Sequence, residues 1–355
     1  MRRRKTNYPV FVTLLFIILM IAFFRSGSPQ NDLKNMSEKT RTNFLMNTMV
    51  QIRVYSEEPD RHIDRSFELV RNIEEKMSRT QTGSDIYRIN ENSSGNDYIT
   101  ISSDTFRVLE RAVYFAELTG GKFDPTVGPL VELWGIGTAG ARVPTEEEIE
   151  KALSLVDYRK LVLNPEDNSA KLLQEGMKLD LGAIAKGYAA DEVGKLLKEE
   201  GIESAYINLG GNVLLVGGKP DGSPWKIGVQ DPRLNRGNVM ASIELIDKTI
   251  VTSGNYERYF EEDGVIYHHI LDPDSGYPAN SNVISVSIIC DSSLDADALS
   301  TSIFILGLEK GLELINQLEG FEAIFITDNL GVVLTEGLKG KVTLLNNDFY
   351  FLGSD

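Results

Sequence analysis

The chain has 355 residues, enough for one large or two modest domains with a full hydrophobic core. Its 36 basic and 52 acidic side chains give a net charge of −16; the first 25 residues hold five basic and no acidic groups, so the remainder carries −21. Such a body does not attach to nucleic acid or anionic lipid by bulk electrostatics, and a phosphorylated ligand would need a metal ion or a local patch of donors.

In chain order, "MRRRK" is followed by "YPVFVTLLFIILMIAFF", seventeen uncharged residues with no polar face, which predicts one membrane-anchor helix within residues 1–25. Positive charge stays inside, so the rest of the chain is expected outside the cytoplasm, attached to the cell membrane. Signal cleavage near "RSGSPQ" and retention as an anchor both fit, and no cysteine follows that could carry a lipid. Residues 26–43 lack apolar periodicity and read as a linker; the globular domain is expected over 44–347, with 348–355 as a tail.

"MVQIRVYS" alternates as a strand, and "IDRSFELVRNIEEKMSR" places Phe67, Val70, Ile73 and Met77 on one helical face. "SSDTFRVLERAVYFAELTGGKFD" is a second helix with a Ser/Asp cap and a Gly-Gly stop. It runs into "GGKFDPTVGPL", a glycine-rich loop before "VELWGIG". Here glycines would let backbone amides approach a ligand and Asp124 would accept from a ring or ribose; a plain connecting loop is the alternative. "PTEEEIEKALSLVD" is a third helix, its glutamates suited to the positive end of the helix dipole, and two short strands follow around "NPEDN".

In "LDLGAIAKGYAADE" a strand is expected to end at Asp180, a glycine turn follows, and Lys186 falls near the start of a helix. A cation is unfavourable there unless it faces an anion, so strand, glycine, helix N-terminus and lysine suggest a phosphate cradle; a surface lysine is the bland reading. "SAYINLGGNVLLVGGKPDGSPWKIGVQDP" and "MASIELIDKTIVTSG" alternate strand and turn. "YHHILDPDSGYP" contains two of the three histidines of the chain. On an alternating strand His268 and His269 point to opposite faces, so at most one faces a given site.

"VISVSIIC" is a further strand. It ends at Cys290, the single cysteine, which excludes an internal disulfide and a multi-thiolate zinc site and reads as a core residue. In "DADALSTSIFILG", Asp297 and Thr301 share one helix face and offer hard oxygen ligands of the kind Mg²⁺ prefers; Asp295 capping the helix and Thr301 bonding back to the chain are the structural alternatives. The strands "FEAIFIT" and "GVVLTEGL" finish a pattern of hairpins with helices between them, which predicts an α+β fold with antiparallel sheets.

Taken in order, "FLMNTMVQIRV", "GGKFDPTVGPLVELWGIG", "LDLGAIAKGYAAD", "INLGGNVLLVGG", "VTSGNYERYF", "HHILDPDSGYP" and "DADALSTSIFILG" resemble the motif series of the ApbE family, the FAD:protein FMN transferases, from about Phe44 to the mid-340s. The resemblance implies a T-fold-related α+β domain that is extracytoplasmic and Mg²⁺-dependent. It also implies cleavage of FAD, release of AMP, and attachment of FMN to a threonine or serine of a partner flavoprotein. On that basis Asp297, Thr301 and the Ala183 carbonyl are the expected metal ligands. Met46, Lys122, Phe123, Asp124, Asp180, Lys186 and His269 are the expected FAD contacts, with His269 and Lys186 also taking part in transfer.

Asn47 stands where the family has the glycine of Met-Gly-Thr, and asparagine is the next most tolerant residue at positive φ. The family's lipid-bearing cysteine is absent. The acceptor is expected to be a membrane redox subunit or extracellular flavoprotein with a segment of the type Asp-x-x-(Ser/Thr)-(Gly/Ala)-Ala-(Thr/Ser), which this chain itself lacks. Two rival functions use the same motifs: an FAD-binding storage protein, and an FAD pyrophosphatase that gives free FMN and AMP.

Overall fold

The computed structural model describes residues 36–93 and 97–353; the expected anchor at 1–25 lies outside them. Among the described residues no helix is long and apolar enough to cross a membrane. The elements are, in order, β1 (Ser37–Leu45), β2 (Thr48–Ser56), α1 (Pro59–Met77), α2 (Asp85–Glu91), β3 (Ile99–Thr100), α3 (Ser103–Leu118), α4 (Gly128–Trp134), α5 (Glu146–Leu153), β4 (Leu161–Asn164) and β5 (Ser169–Leu172). Then come α6 (Ala185–Glu199), β6 (Ala205–Leu209), β7 (Asn212–Val216), β8 (Trp225–Gln230), β9 (Val239–Leu245), β10 (Thr249–Gly254), β11 (Tyr259–Glu262) and β12 (Val265–His268). The chain continues through β13 (Val283–Cys290), α7 (Ser293–Asn316), β14 (Glu322–Thr327), β15 (Gly331–Leu334), β16 (Val342–Leu344) and β17 (Tyr350–Phe351).

A nine-stranded sheet in the order β1-β2-β6-β7-β10-β13-β14-β15-β17 forms the middle layer. Its inner strands are buried on both faces, and the alternation of their side chains divides the core in two. Leu214, Val216, Val251, Val286, Ile288 and Phe325 point toward the helices. Val213, Leu215, Ile250, Ile289, Ile324 and Ile326 point the other way, against Trp225, Ile227, Met240 and Ile243 of the three-stranded sheet β16-β9-β8. A smaller cluster of Leu130, Trp134, Ile149 and Leu271 joins α4 and α5 to the ribbon β11–β12, where the Trp134 ring lies 5.5 Å from that of Tyr267. Cys290 is buried, and burial pushes its thiol up to about 12.

The α+β expectation holds, with corrections. The nine-stranded sheet is mixed, because β17 returns beside β15 in parallel while the other neighbours are antiparallel. Residues 37–43, expected as linker, form most of β1 and pair with β2, and Tyr350–Phe351 of the expected tail joins the sheet. The end of the expected glycine loop, "GPL", is already helical and runs on through "VELW" as α4, which Gly135 closes in the left-handed conformation. The approach to Asp180 is not a strand but an isolated bridge between Lys178 and Val127.

Candidate active site

The ten residues singled out in the sequence, Met46, Lys122, Phe123, Asp124, Asp180, Ala183, Lys186, His269, Asp297 and Thr301, all line one cleft of about 600 Å³. It lies along one edge of the helix layer, closed by the β1–β2 turn, the loop before α4, the turn before α6 and the segment between β10 and β12.

Its floor is made where α6 and α7 begin. Ser292 caps α7 by accepting from the Asp295 amide. Asp191, from the next turn of α6, accepts from the Ser293 and Leu294 amides and the Ser292 hydroxyl. Asp295, read as a potential cap, instead makes a two-pronged pair with Arg111. These contacts fix α7 so that Asp297, only 3% exposed, aims its carboxylate at α6. There Oδ2 accepts the Gly187 amide at 3.0 Å, and the Lys186 ammonium sits 3.3 Å from Oδ1 and 2.8 Å from the Gly182 carbonyl. Lys186 is the second residue of α6, so the anion that its position required is Asp297. Gly187 permits the approach: a Cβ there would stand 2.2 Å from the Ser293 carbonyl oxygen.

The expected metal ligands pass a test of donor chemistry. Because the Gly187 amide turns to Asp297, no N–H among the described residues donates to the Ala183 carbonyl, and Ala183 and Asp297 line the same cleft. The Thr301 hydroxyl lies 3.3 Å from Ser253 Oγ, not bonded back to its own helix. A carboxylate, a hydroxyl and a carbonyl are hard donors that suit Mg²⁺, which needs few protein ligands. No group of three or more His, Cys, Asp or Glu side chains among the described residues is placed to hold a metal.

The two histidines part as the strand alternation predicts. His268 Nε2 lies 3.0 Å from the Ala279 carbonyl, and its ring meets Phe304 edge-on in the core. His269 faces the cleft. Its Nδ1 is 3.2 Å from the Arg258 carbonyl, so Nδ1 carries the proton and Nε2 keeps its lone pair. Burial, reinforced by the nearby Arg258 charge, lowers its pKa to about 3, which leaves the imidazole neutral at physiological pH.

Asp180 binds the Gly182 amide through Oδ1 and Arg79 through Oδ2, at 2.7 and 2.9 Å. Lys122 bridges Asp272 and Asp274, which hold its pKa up against the opposing effect of burial. Asp124, expected to meet a ring or ribose, instead ties its loop to the turn before β4, with Oδ1 accepting from the Thr126 amide and hydroxyl and Oδ2 from the Tyr158 amide. Met46 and Asn47 form a two-residue hairpin turn with φ of 51° and 55°, so the asparagine occupies a left-handed position.

Sequence reading missed Arg258. Of the five cationic side chains that line the cleft, Arg79, Lys122, Lys186 and Arg236 are each paired with a carboxylate, whereas Arg258 among the described residues donates only to the Asn47 carbonyl, at 3.0 Å. Nothing in "NYERYF" distinguishes this arginine from a surface one; only the fold brings it beside His269.

The sequence profile described as the ApbE family matches residues 46–325. The chain belongs to the ApbE family. Within it, the FAD:protein FMN transferase of Treponema pallidum is 36% identical over 88% of this chain and 91% of its own length. That of Klebsiella pneumoniae is also 36% identical, over 86% and 94%. The crystal structure of the ApbE protein from Thermotoga maritima superposes with a TM-score of 0.79 at 36% identity, covering 86% of this chain and 99% of that one.

Proposed function

We propose that this enzyme, an FAD:protein FMN transferase like its ApbE relatives, uses Mg²⁺ to move FMN from FAD onto a threonine or serine hydroxyl of a partner flavoprotein, with release of AMP. The observation that carries the reading is the convergence on one cleft of a hard-oxygen donor set, a lysine at a helix N-terminus and a neutral histidine with a free nitrogen. Storage of FAD needs no such histidine.

Asp297, Thr301 and the Ala183 carbonyl would hold the Mg²⁺, which when bound neutralises pyrophosphate charge and stabilises the departing phosphate. Lys186 keeps the Asp297 carboxylate oriented and adds positive charge at the same end of the cleft, where the N-terminus of α6 favours an anion. Arg258 brings a guanidinium that no carboxylate has claimed among the described residues. Met46, Phe123 and Leu271 offer apolar surface for the flavin ring.

The acceptor oxygen bonds to the phosphorus of the FMN half as the bond from that phosphorus to the bridging oxygen breaks. AMP leaves with the bridging oxygen, and the hydroxyl proton passes to Nε2 of His269. The apolar segment before residue 25 supports attachment to the cell membrane with the domain on the extracytoplasmic side, where an acceptor subunit of a membrane redox complex or an extracellular flavoprotein would be met.

The test is incubation with FAD, Mg²⁺ and a peptide carrying the acceptor motif. A peptide adduct with the mass of FMN and one AMP per adduct is expected; AMP and free FMN without an adduct would favour the pyrophosphatase.

A further inference from the structure

The motif "INLGGNVLL" joins β6 to β7 through Gly210 and Gly211, whose φ angles of 63° and 107° make a tight turn. The hydrogen bonding of that turn belongs to Asn208: its Oδ1 accepts the Gly211 amide and its Nδ2 donates to the Tyr206 hydroxyl. Asn212, four residues on, has no part in it. It opens β7, a strand buried along its whole length, and its side chain falls in the alternating set with Leu214 and Val216 that packs toward the helices.

An apolar residue would satisfy this position by packing alone. Asn212 instead is 2% exposed, and its Nδ2 is buried with no hydrogen-bond partner among the described residues, while the residue forms part of the cleft wall. Buried amides are nearly always paired, so an unpaired one at a cleft wall points to a group that arrives with a ligand. Its surroundings say which end of the ligand. Asn212 stands directly opposite Val251 on β10, and Ser253, two residues along the same face, lies 2.8 Å from Ser300 Oγ and 3.3 Å from Thr301 Oγ1. The carboxamide therefore belongs to the Thr301 end of the cleft.

We propose that Asn212 is a substrate-binding residue, its carboxamide hydrogen-bonded to an oxygen of the dinucleotide next to the pyrophosphate. This rests on the reading of the cleft as a dinucleotide site. The residue is kept polar at the expense of the unliganded fold and is satisfied when substrate enters.

The experiment compares the full chain in detergent with Asn212→Leu, which is close in volume and removes the polar end, and with Asn208→Ala as a turn control. FAD affinity is measured by titration calorimetry and thermal stability without FAD. Asn212→Leu is expected to keep or raise the melting temperature and to weaken FAD binding about tenfold; Asn208→Ala is expected to lower the melting temperature and leave affinity unchanged. Unchanged FAD affinity in Asn212→Leu overturns the proposal. If that variant does not fold, Asn212→Ala, which only removes atoms, decides on the same affinity criterion. Failure of the unmodified protein to bind FAD would instead contradict the dinucleotide reading itself.

Discussion

His268 and His269 end in opposite environments because adjacent residues at a strand end face opposite sides. The consequence for chemistry is the protonation of His269. With its pKa near 3, lowered by burial and the Arg258 charge, its imidazole stays neutral well below pH 6.5, where an ordinary imidazole half-protonates. The kcat/KM for FAD is therefore expected to run flat from pH 8 through 6; an inflection near 6.5 assigned to His269 would contradict the tautomer and burial described above. Stability carries the same sign. A folded pKa below the unfolded value means the unfolded chain binds more protons between about pH 3 and 6.5, so His269 costs stability as pH falls through that window. His269→Asn should flatten this part of the urea-unfolding profile, lower transfer by 10²–10⁴-fold or so, and leave FAD affinity within about twofold. Equal loss of binding and transfer would remove the histidine from catalysis. At this scale the sequence was informative where a residue type is chemically costly in its place, as with Lys186 at a helix start. It was uninformative for Asp124, because a carboxylate that pins its loop to a distant turn and one that meets a ligand look alike in a glycine-rich stretch.

At the scale of elements, the site depends on how closely the first turns of α6 and α7 approach. Gly187→Ala places a methyl against the Ser293 carbonyl, and a backbone oxygen held in a capped helix start cannot move aside. The gain of about 1 kcal/mol from replacing glycine by alanine in a helix is outweighed by overpacking of about 1–3 kcal/mol, so a net fall in melting temperature is expected. A rise would mean that the two helices have slack. Asp191→Ala removes the side chain that holds two amides of α7, and should cost about 1–2 kcal/mol in chemical denaturation while weakening metal dependence through a displaced Asp297. Unchanged stability and unchanged Mg²⁺ response would contradict that anchoring role. Amphipathic helices such as α1, with Phe67, Val70, Ile73 and Met77 buried, were legible from spacing alone. Most of β1 was not: "SEKTRTN" lies on an edge strand that is largely wet on both sides, so it lacks the alternation by which strands are read. The short helices α2 and α4 offer too few turns for a periodic signal.

For the whole molecule, the cleft gathers residues from Phe44 to Ile305, a span that no local pattern connects. Ordered motifs shared with a family carried that long-range information, whereas spacing and charge alone supplied only separate candidates: a loop, a cradle, an Asp/Thr pair and a histidine. The body is strongly acidic, so in the proposed reaction the cations of the cleft and a bound Mg²⁺ would have to offset a bulk charge that repels a pyrophosphate. The apolar leader makes a separate prediction: the full chain should sediment with membranes and a chain begun near residue 30 should not, and equal release of both would contradict the anchor. Transfer of FMN is tested most directly by intact-mass analysis of an acceptor-motif peptide after incubation with the full chain, FAD and Mg²⁺. An FMN-sized gain that is lost with EDTA and with Asp297→Ala is expected. Bound but intact FAD, or FMN and AMP released with every peptide that carries the motif left unmodified, would contradict transfer.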